Sequence, residues 1–272
     1  MFQRVMVAVV FVPLIFLVLF FLPPIAIPIA ISVLSMIAVH EVLWSTGFVK
    51  NAKLSAYSII LAGLIPFWTY IGQGTLSALC VLFIYFTMVF IEAISSHYTV
   101  TLEKMGGAFF FATLIPYFLS SFIRLDQMEN GKFLILTPLV AAFMSDSFAL
   151  FGGILFGKHK LAPALSPKKT IEGSISGLLF AGICMVIYGL VVQFAFQLQV
   201  NYLLLALYGL LGSLVSQLGD LSFSYIKRQY GLKDFGNIFP GHGGVLDRFD
   251  SVIFCAPLIE ILWRLLPALR FS

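Results

Sequence analysis

Charge is what this chain has least of. Its 272 residues include 16 Lys or Arg and 12 Asp or Glu, 10% charged against 60% apolar, with a mean hydropathy of +1.03. A soluble globular domain carries about 25% charged residues, so this chain would present mostly hydrocarbon to water. That excludes a soluble protein and predicts an integral membrane one. Cysteine is nearly absent too. Cys80, Cys184 and Cys255 lie singly inside apolar runs without CxxC spacing, which excludes a disulfide framework and a thiolate zinc site. Internal repeats and low-complexity linkers are missing as well.

What is present is a succession of long apolar runs. A hydrocarbon core of roughly 30 Å takes about 20 apolar residues per helix. On that template nine spans fall near 5–22, 25–45, 56–72, 75–95, 108–124, 133–154, 173–197, 202–220 and 251–268. The expected fold class is an all-α integral membrane protein, a polytopic bundle of about nine transmembrane helices with cytoplasmic catalytic loops. The first run, "MFQRVMVAVVFVPLIFLVLFFLPP", is too long for a signal h-region and reads as a retained span.

Lys and Arg set the orientation. With the N-terminus inside, twelve of them fall in inner loops and four, Arg124, Lys132, Arg264 and Arg270, fall outside. The long loops 155–172 and 221–250 then face the cytoplasm from a multi-pass cell (inner) membrane protein. Five of the six Asp follow residue 140, so two regions are expected. Residues 1–130 form N-terminal helices that act as scaffold, dimer or lipid-facing surface, and 131–272 form the catalytic region with both loops.

The densest charge lies in Ser224–Asp250, "SYIKRQYGLKDFGNIFPGHGGVLDRFD", with seven charged residues, a histidine and five glycines. Asp220 closes the span before it. Asp247 and Asp250, three apart, share one face of the first turn of the helix that follows, where the helix dipole favours negative charge. Carboxylates from two helix ends would repel one another unless a cation sat between them, and hard oxygen ligands point to Mg2+. For Asp250 alone, dipole capping is an equally good account. Lys227, Arg228, Lys233, His242 and Arg248 surround these acids. Gly241, Gly243 and Gly244 of "PGHGG" allow positive φ and close backbone approach, so successive amides could form an anion-binding nest. Acids for a metal beside donors for phosphate describe a nucleotide-phosphate site.

The other inner loop, "FGKHKLAPALSPKKTIEGSISG", repeats the logic. Ser166-Pro167 signals a helix start, which would put Lys168 and Lys169 at a helix N-terminus, where free amides attract anions. Upstream, Asp146 sits inside an apolar run, a functional candidate by default. Glu41 and Glu92 fall near inner helix ends, where snorkelling to the interface suffices, so both stay outside the expected active site.

The pattern Ser224-x-Ile226-Lys227-Arg228-x4-Lys233-Asp234-x-Gly236-x2-Phe239-Pro240-x-His242-Gly243-Gly244-Val245-x-Asp247-Arg248-Phe249-Asp250 resembles the signature of the phosphatidate cytidylyltransferases (CDP-diacylglycerol synthases), with no departure across those 27 positions. "SPKKTIEG", with Asp146 and Gly157-Lys158 before it, is similar to a second segment of that family. The resemblance implies Mg2+-dependent transfer of CMP from CTP to phosphatidic acid, giving CDP-diacylglycerol and pyrophosphate. It also implies a homodimer in a lipid membrane, and leaves room for a second, monovalent cation such as K+. No nucleic-acid partner is expected.

Residue by residue, Asp220 and Asp247 are assigned to the metal, with Asp250 and Asp146 as supporting ligands or a second ion site. Ser166, Lys168, Lys169, Lys227, Arg228, Lys233, His242, Gly243, Gly244 and Arg248 are assigned to substrate phosphates. Asp220, Asp247, Lys169 and His242 carry the catalytic expectation. An isoprenoid glycerophosphate is an alternative acceptor. A transporter of anionic solutes would show a repeat across two halves, and the DGxxAR…GxxxDxxxD pattern of CDP-alcohol phosphotransferases is absent.

Overall fold

Apolar runs of this length become helices because only a helix satisfies every backbone polar group within itself in a bilayer. The computed structural model describes residues 17–72, 74–97, 99–238 and 243–270. In order these form α1 (Ala26–Ser45), α2 (Ala52–Ile71), α3 (Gly74–Ser95), α4 (Leu102–Leu119), α5 (Ser121–Asp126), α6 (Gly131–Leu134) and α7 (Thr137–Phe156). Then come strands β1 (Lys160–Ala162) and β2 (Ser166–Thr170), α8 (Ile171–Phe196), β3 (Gln199–Val200), α9 (Tyr202–Gln229), α10 (Leu246–Leu265) and β4 (Leu269–Arg270). The chain is an all-α polytopic membrane protein. Seven helical stretches among the described residues are long and apolar enough to cross a membrane. The first expected span lies mostly outside the described residues. The last is a helix, α10, but five ionisable residues keep it from qualifying on composition.

Contacts divide the described chain into two compact units. One runs up to Arg124 and includes Tyr230–Arg248; the other holds Leu125–Gln229 and the chain from Phe249 onward. In the first unit, Asn51 caps α2 by accepting from the Leu54 amide at 2.9 Å. Gly63 lets α2 lie against α1, since a Cβ there would meet Met36 Sδ at 2.8 Å, and Ser32 Oγ donates to the Gly63 carbonyl at 2.8 Å. Glu92 does not snorkel. It is 7% exposed, accepting from Asn51 Nδ2 at 2.9 Å and pairing with Lys53 Nζ at 3.0 Å.

In the second unit a small-residue seam joins α7, α8 and α9. A Cβ on Gly177 would stand 2.7 Å from the Ser145 carbonyl oxygen, and one on Gly209 would stand 2.5 Å from that of Ala181. Polar anchors fix α10 here. Trp263 Nε1 donates to Thr137 Oγ1 at 3.0 Å, and buried Tyr208 donates to the Leu262 carbonyl at 3.0 Å. The short ladder β3–β4 pairs Gln199 with Arg270 and Val200 with Leu269.

Two further sequence expectations change. The helix start at Ser166-Pro167 is instead the antiparallel hairpin β1–β2, pairing Lys160 with Thr170 and Ala162 with Ser166. Thr170 is the true N-cap of α8, accepting from the Gly173 amide at 3.2 Å. Lys168 and Lys169 therefore sit on a strand and not at a helix N-terminus. Secondly, Asp220 does not end its helix. α9 has 28 residues, about 42 Å at 1.5 Å per residue, and outruns a hydrocarbon core of roughly 30 Å. Its extension buries Phe223, Ser224 and Lys227 at helical spacing, with Lys227 and Arg228 in the last turn complementing the dipole. Gly231, at φ +67°, follows it in the left-handed conformation.

Candidate active site

In the second unit, α7, α9, α10 and the hairpin bring acids and bases together. Asp220, inside α9, is half-buried and pairs through Oδ2 with Lys169 Nζ of β2 at 2.5 Å, while Ser224 Oγ donates to its Oδ1 at 3.3 Å. The phosphate candidate and the metal candidate thus face each other. Arg228 Nε donates to the Leu165 carbonyl at 3.1 Å, tying the hairpin to the same helix. Lys168 and Arg228 are exposed, and Ser166 is half-buried at the start of β2.

Asp250, 7% exposed, sits one helical turn into α10. The charges acting on it come from Asp220, Lys227 and Asp146, with Lys227 Nζ 4.0 Å from its Oδ2. Its Oδ1 accepts the Ser251 amide at 2.9 Å, and Ser251 Oγ donates to Asp146 Oδ2 at 2.8 Å. Three carboxylates from three helices therefore share one polar, half-buried region. It continues into buried hydroxyls, Ser145 and Ser213 at 2.7 Å, and Ser216 Oγ, buried with no hydrogen-bond partner among the described residues. Among the described residues no three His, Cys, Asp or Glu side chains are gathered closely enough to cage a metal ion. The donors are hard oxygens, the kind Mg2+ takes, and Mg2+ commonly uses one or two carboxylates plus substrate phosphate.

The hairpin has its own latch. Glu172, in the first turn of α8, accepts the amides of Lys158 at 3.0 Å and His159 at 3.2 Å, and lies 2.6 Å from His159 Nδ1. Both loop ends are thereby held at the base of the strand that carries Lys168 and Lys169.

In the first unit, Asp247 opens α10. Its Oδ2 accepts the amides of Phe235 at 2.8 Å and Gly244 at 2.9 Å. Gly243 is at φ +80°, and a Cβ there would meet Asp247 Oδ2 at 2.7 Å. The glycines are thus required, but the amides from Gly244 to Leu246 serve carboxylates of the chain itself. The remaining two go to Glu41, which accepts from Val245 at 2.9 Å and Leu246 at 2.8 Å. Glu41 does not snorkel to the interface; it is 4% exposed. No local signal points to it, because its partners lie 204 and 205 residues away. Lys233 and Arg248 are exposed. His242, with Pro240 and Gly241, lies outside the described residues.

The cytidylyltransferase family matches residues 2–266 of the chain. The chain is similar to the phosphatidate cytidylyltransferase of Staphylococcus haemolyticus, 46% identical over 134 residues, 49% of this chain and 50% of that protein. It is also similar to the phosphatidate cytidylyltransferases of Rickettsia felis, 35% identical over 179 residues (65% of this chain, 79% of that protein), and Rickettsia prowazekii, 33% identical over 211 residues (76% and 91%). The chain spans about half the length of the Staphylococcus relatives it matches.

Proposed function

Because the chain belongs to the cytidylyltransferase family, we propose that it transfers CMP from CTP to phosphatidate, releasing pyrophosphate and leaving CDP-diacylglycerol in the membrane. The observation that carries this reading is the meeting of Lys169 with Asp220, beside Asp250, Lys227 and Asp146. A phosphate-binding cation and metal-binding carboxylates in one place are what a metal–triphosphate complex needs.

No protein nucleophile is required. A phosphate oxygen of the lipid attacks the α-phosphorus of CTP, and the bond from that phosphorus to the bridging oxygen of the β-phosphate breaks as pyrophosphate leaves. The chain's part is alignment and neutralisation of charge. Asp220 with one of Asp250 and Asp146 would hold Mg2+, the other acting in support or at a second ion, and Asp247 is added on the strength of the motif. Bound there, Mg2+ would screen charge on the triphosphate and on the departing pyrophosphate. Lys169, Lys168, Arg228 and Lys227 would bind phosphate oxygens, with Ser166, Lys233, Arg248, His242, Gly243 and Gly244 assigned by sequence to the same substrates. A second, monovalent cation such as K+ and a homodimer rest on the resemblance alone.

The test is direct. Purified protein in mixed micelles receives labelled CTP, Mg2+ and phosphatidate or, in parallel, an isoprenoid glycerophosphate. A lipid-soluble CDP product with phosphatidate is expected. Product with the isoprenoid acceptor alone would move the reading to that lipid, and no lipid-soluble product with either would overturn it. Cytoplasmic placement of the hairpin is also part of the proposal. An Ala164→Cys variant in a Cys-free background should be labelled only from the cytoplasmic side of sealed membranes.

A further inference from the structure

Glu41 is an unusual way to satisfy a helix start. The free amides of a first turn are ordinarily met by a Ser, Thr, Asp or Asn immediately before the helix, at little expense. Here a carboxylate on α1 is buried to 4% exposure, with both oxygens given to the amides of Val245 and Leu246. Taking a carboxylate out of water is costly. Capping alone does not explain the arrangement.

The surroundings show what else it does. Ser45, four residues on and therefore on the same face of α1, donates through Oγ to the carbonyl of Phe235. Glu41 and Ser45 thus grip the two ends of one loop, at Phe235 and at Val245–Leu246. The amides that hold Asp247 Oδ2 belong to those same ends, Phe235 and Gly244. The Glu41 carboxylate lies against two glycines: a Cβ on Gly236 would stand 2.5 Å from Oε1, and one on Gly244 2.3 Å from it. Neither of these glycines has a positive φ. What they share is that Glu41 occupies the space a side chain would need.

We infer that Glu41 is a positioning residue for the proposed reaction, holding the loop whose amides orient the Asp247 carboxylate. The inference rests on the reading of Asp247 as part of the CMP-transfer site. It predicts that loosening Glu41 disturbs the metal-dependent step and not merely the fold. Loss of such a supporting contact typically lowers activity by about 10- to 100-fold.

The experiment uses the full chain in detergent and two variants. Glu41→Gln keeps the size but puts an NH2 against an amide that donates; Gly236→Ala pushes the carboxylate aside and serves if the first variant folds poorly. Three things are measured: amide exchange at Val245 and Leu246, kcat as a function of Mg2+, and the thermal transition. Exchange at the two amides should rise about tenfold or more, kcat should fall about 10- to 100-fold, and the Mg2+ midpoint should move upward. Lower activity at an unchanged Mg2+ midpoint in both variants would reduce Glu41 to a structural cap and overturn the inference. Unchanged exchange in both would overturn it whatever the reaction. A wild-type protein without CMP transfer would overturn the reaction itself, and the exchange data would still show whether Glu41 grips the loop.

Discussion

Asp220 and Asp250 each face a lysine side chain, Asp250 also accepting the Ser251 amide within its own helix, whereas Glu41 and Asp247 accept amides of the glycine loop. The first pair belongs to the unit of α7, α8 and α9, and the second to the unit of α1 and the glycine loop. A lysine ammonium rides on a flexible four-carbon stem and can leave a carboxylate by changing rotamer. A backbone amide inside a packed loop cannot. Carboxylates of the first kind can exchange partners when a metal and a triphosphate arrive; those of the second kind keep their orientation. The comparison separates acids suited to binding from acids suited to holding a shape, with Asp247, anchored by two amides, assigned by its motif to both.

The strongest way to break that comparison is Asp220→Asn. As a proposed ligand it should cost more than the ~100-fold upper range of supporting residues, read as CMP transfer from labelled CTP in protein that stays monodisperse. Asp247→Asn should match it, although an Asn oxygen can still accept the two amides. Wild-type-like turnover in either variant would remove it from the metal. Next comes Lys169→Ala. Charge-assisted hydrogen bonds contribute roughly 1.5–3 kcal/mol, so kcat/KM for CTP should fall about 10- to 100-fold, with the Mg2+ midpoint nearly unchanged and base discrimination retained. A shifted Mg2+ midpoint would instead make Lys169 a guardian of Asp220. The smallest effect is expected from Thr170→Ala, which removes the cap of α8 and should lower stability by about 1 kcal/mol. Thermal unfolding reads this, and turnover per folded molecule should hold.

The membrane class and the helices were legible because hydropathy is a local property. The span expected over 25–45 is the helix Ala26–Ser45, and that over 173–197 is Ile171–Phe196. Where the template measures hydrocarbon thickness, it misses helix that continues in a polar setting, as α9 does past Asp220. Ser-Pro signals a helix start, but Pro is also tolerated at the beginning of an edge strand; pairing with Lys160–Ala162 decides for the strand.

By itself, then, the sequence determined that this is a polytopic helical protein, which residues carry its charge, and which of its segments resemble a cytidylyltransferase. Those follow from residue type and near-neighbour spacing. Only the tertiary structure decided the partners: Lys169 on Asp220, Asp146 with Ser251, and Glu41 under a loop 204 residues away. An acid near a helix end reads the same whether it reaches for water or for two amides. Burial and packing across the chain make the difference, and no local pattern encodes them.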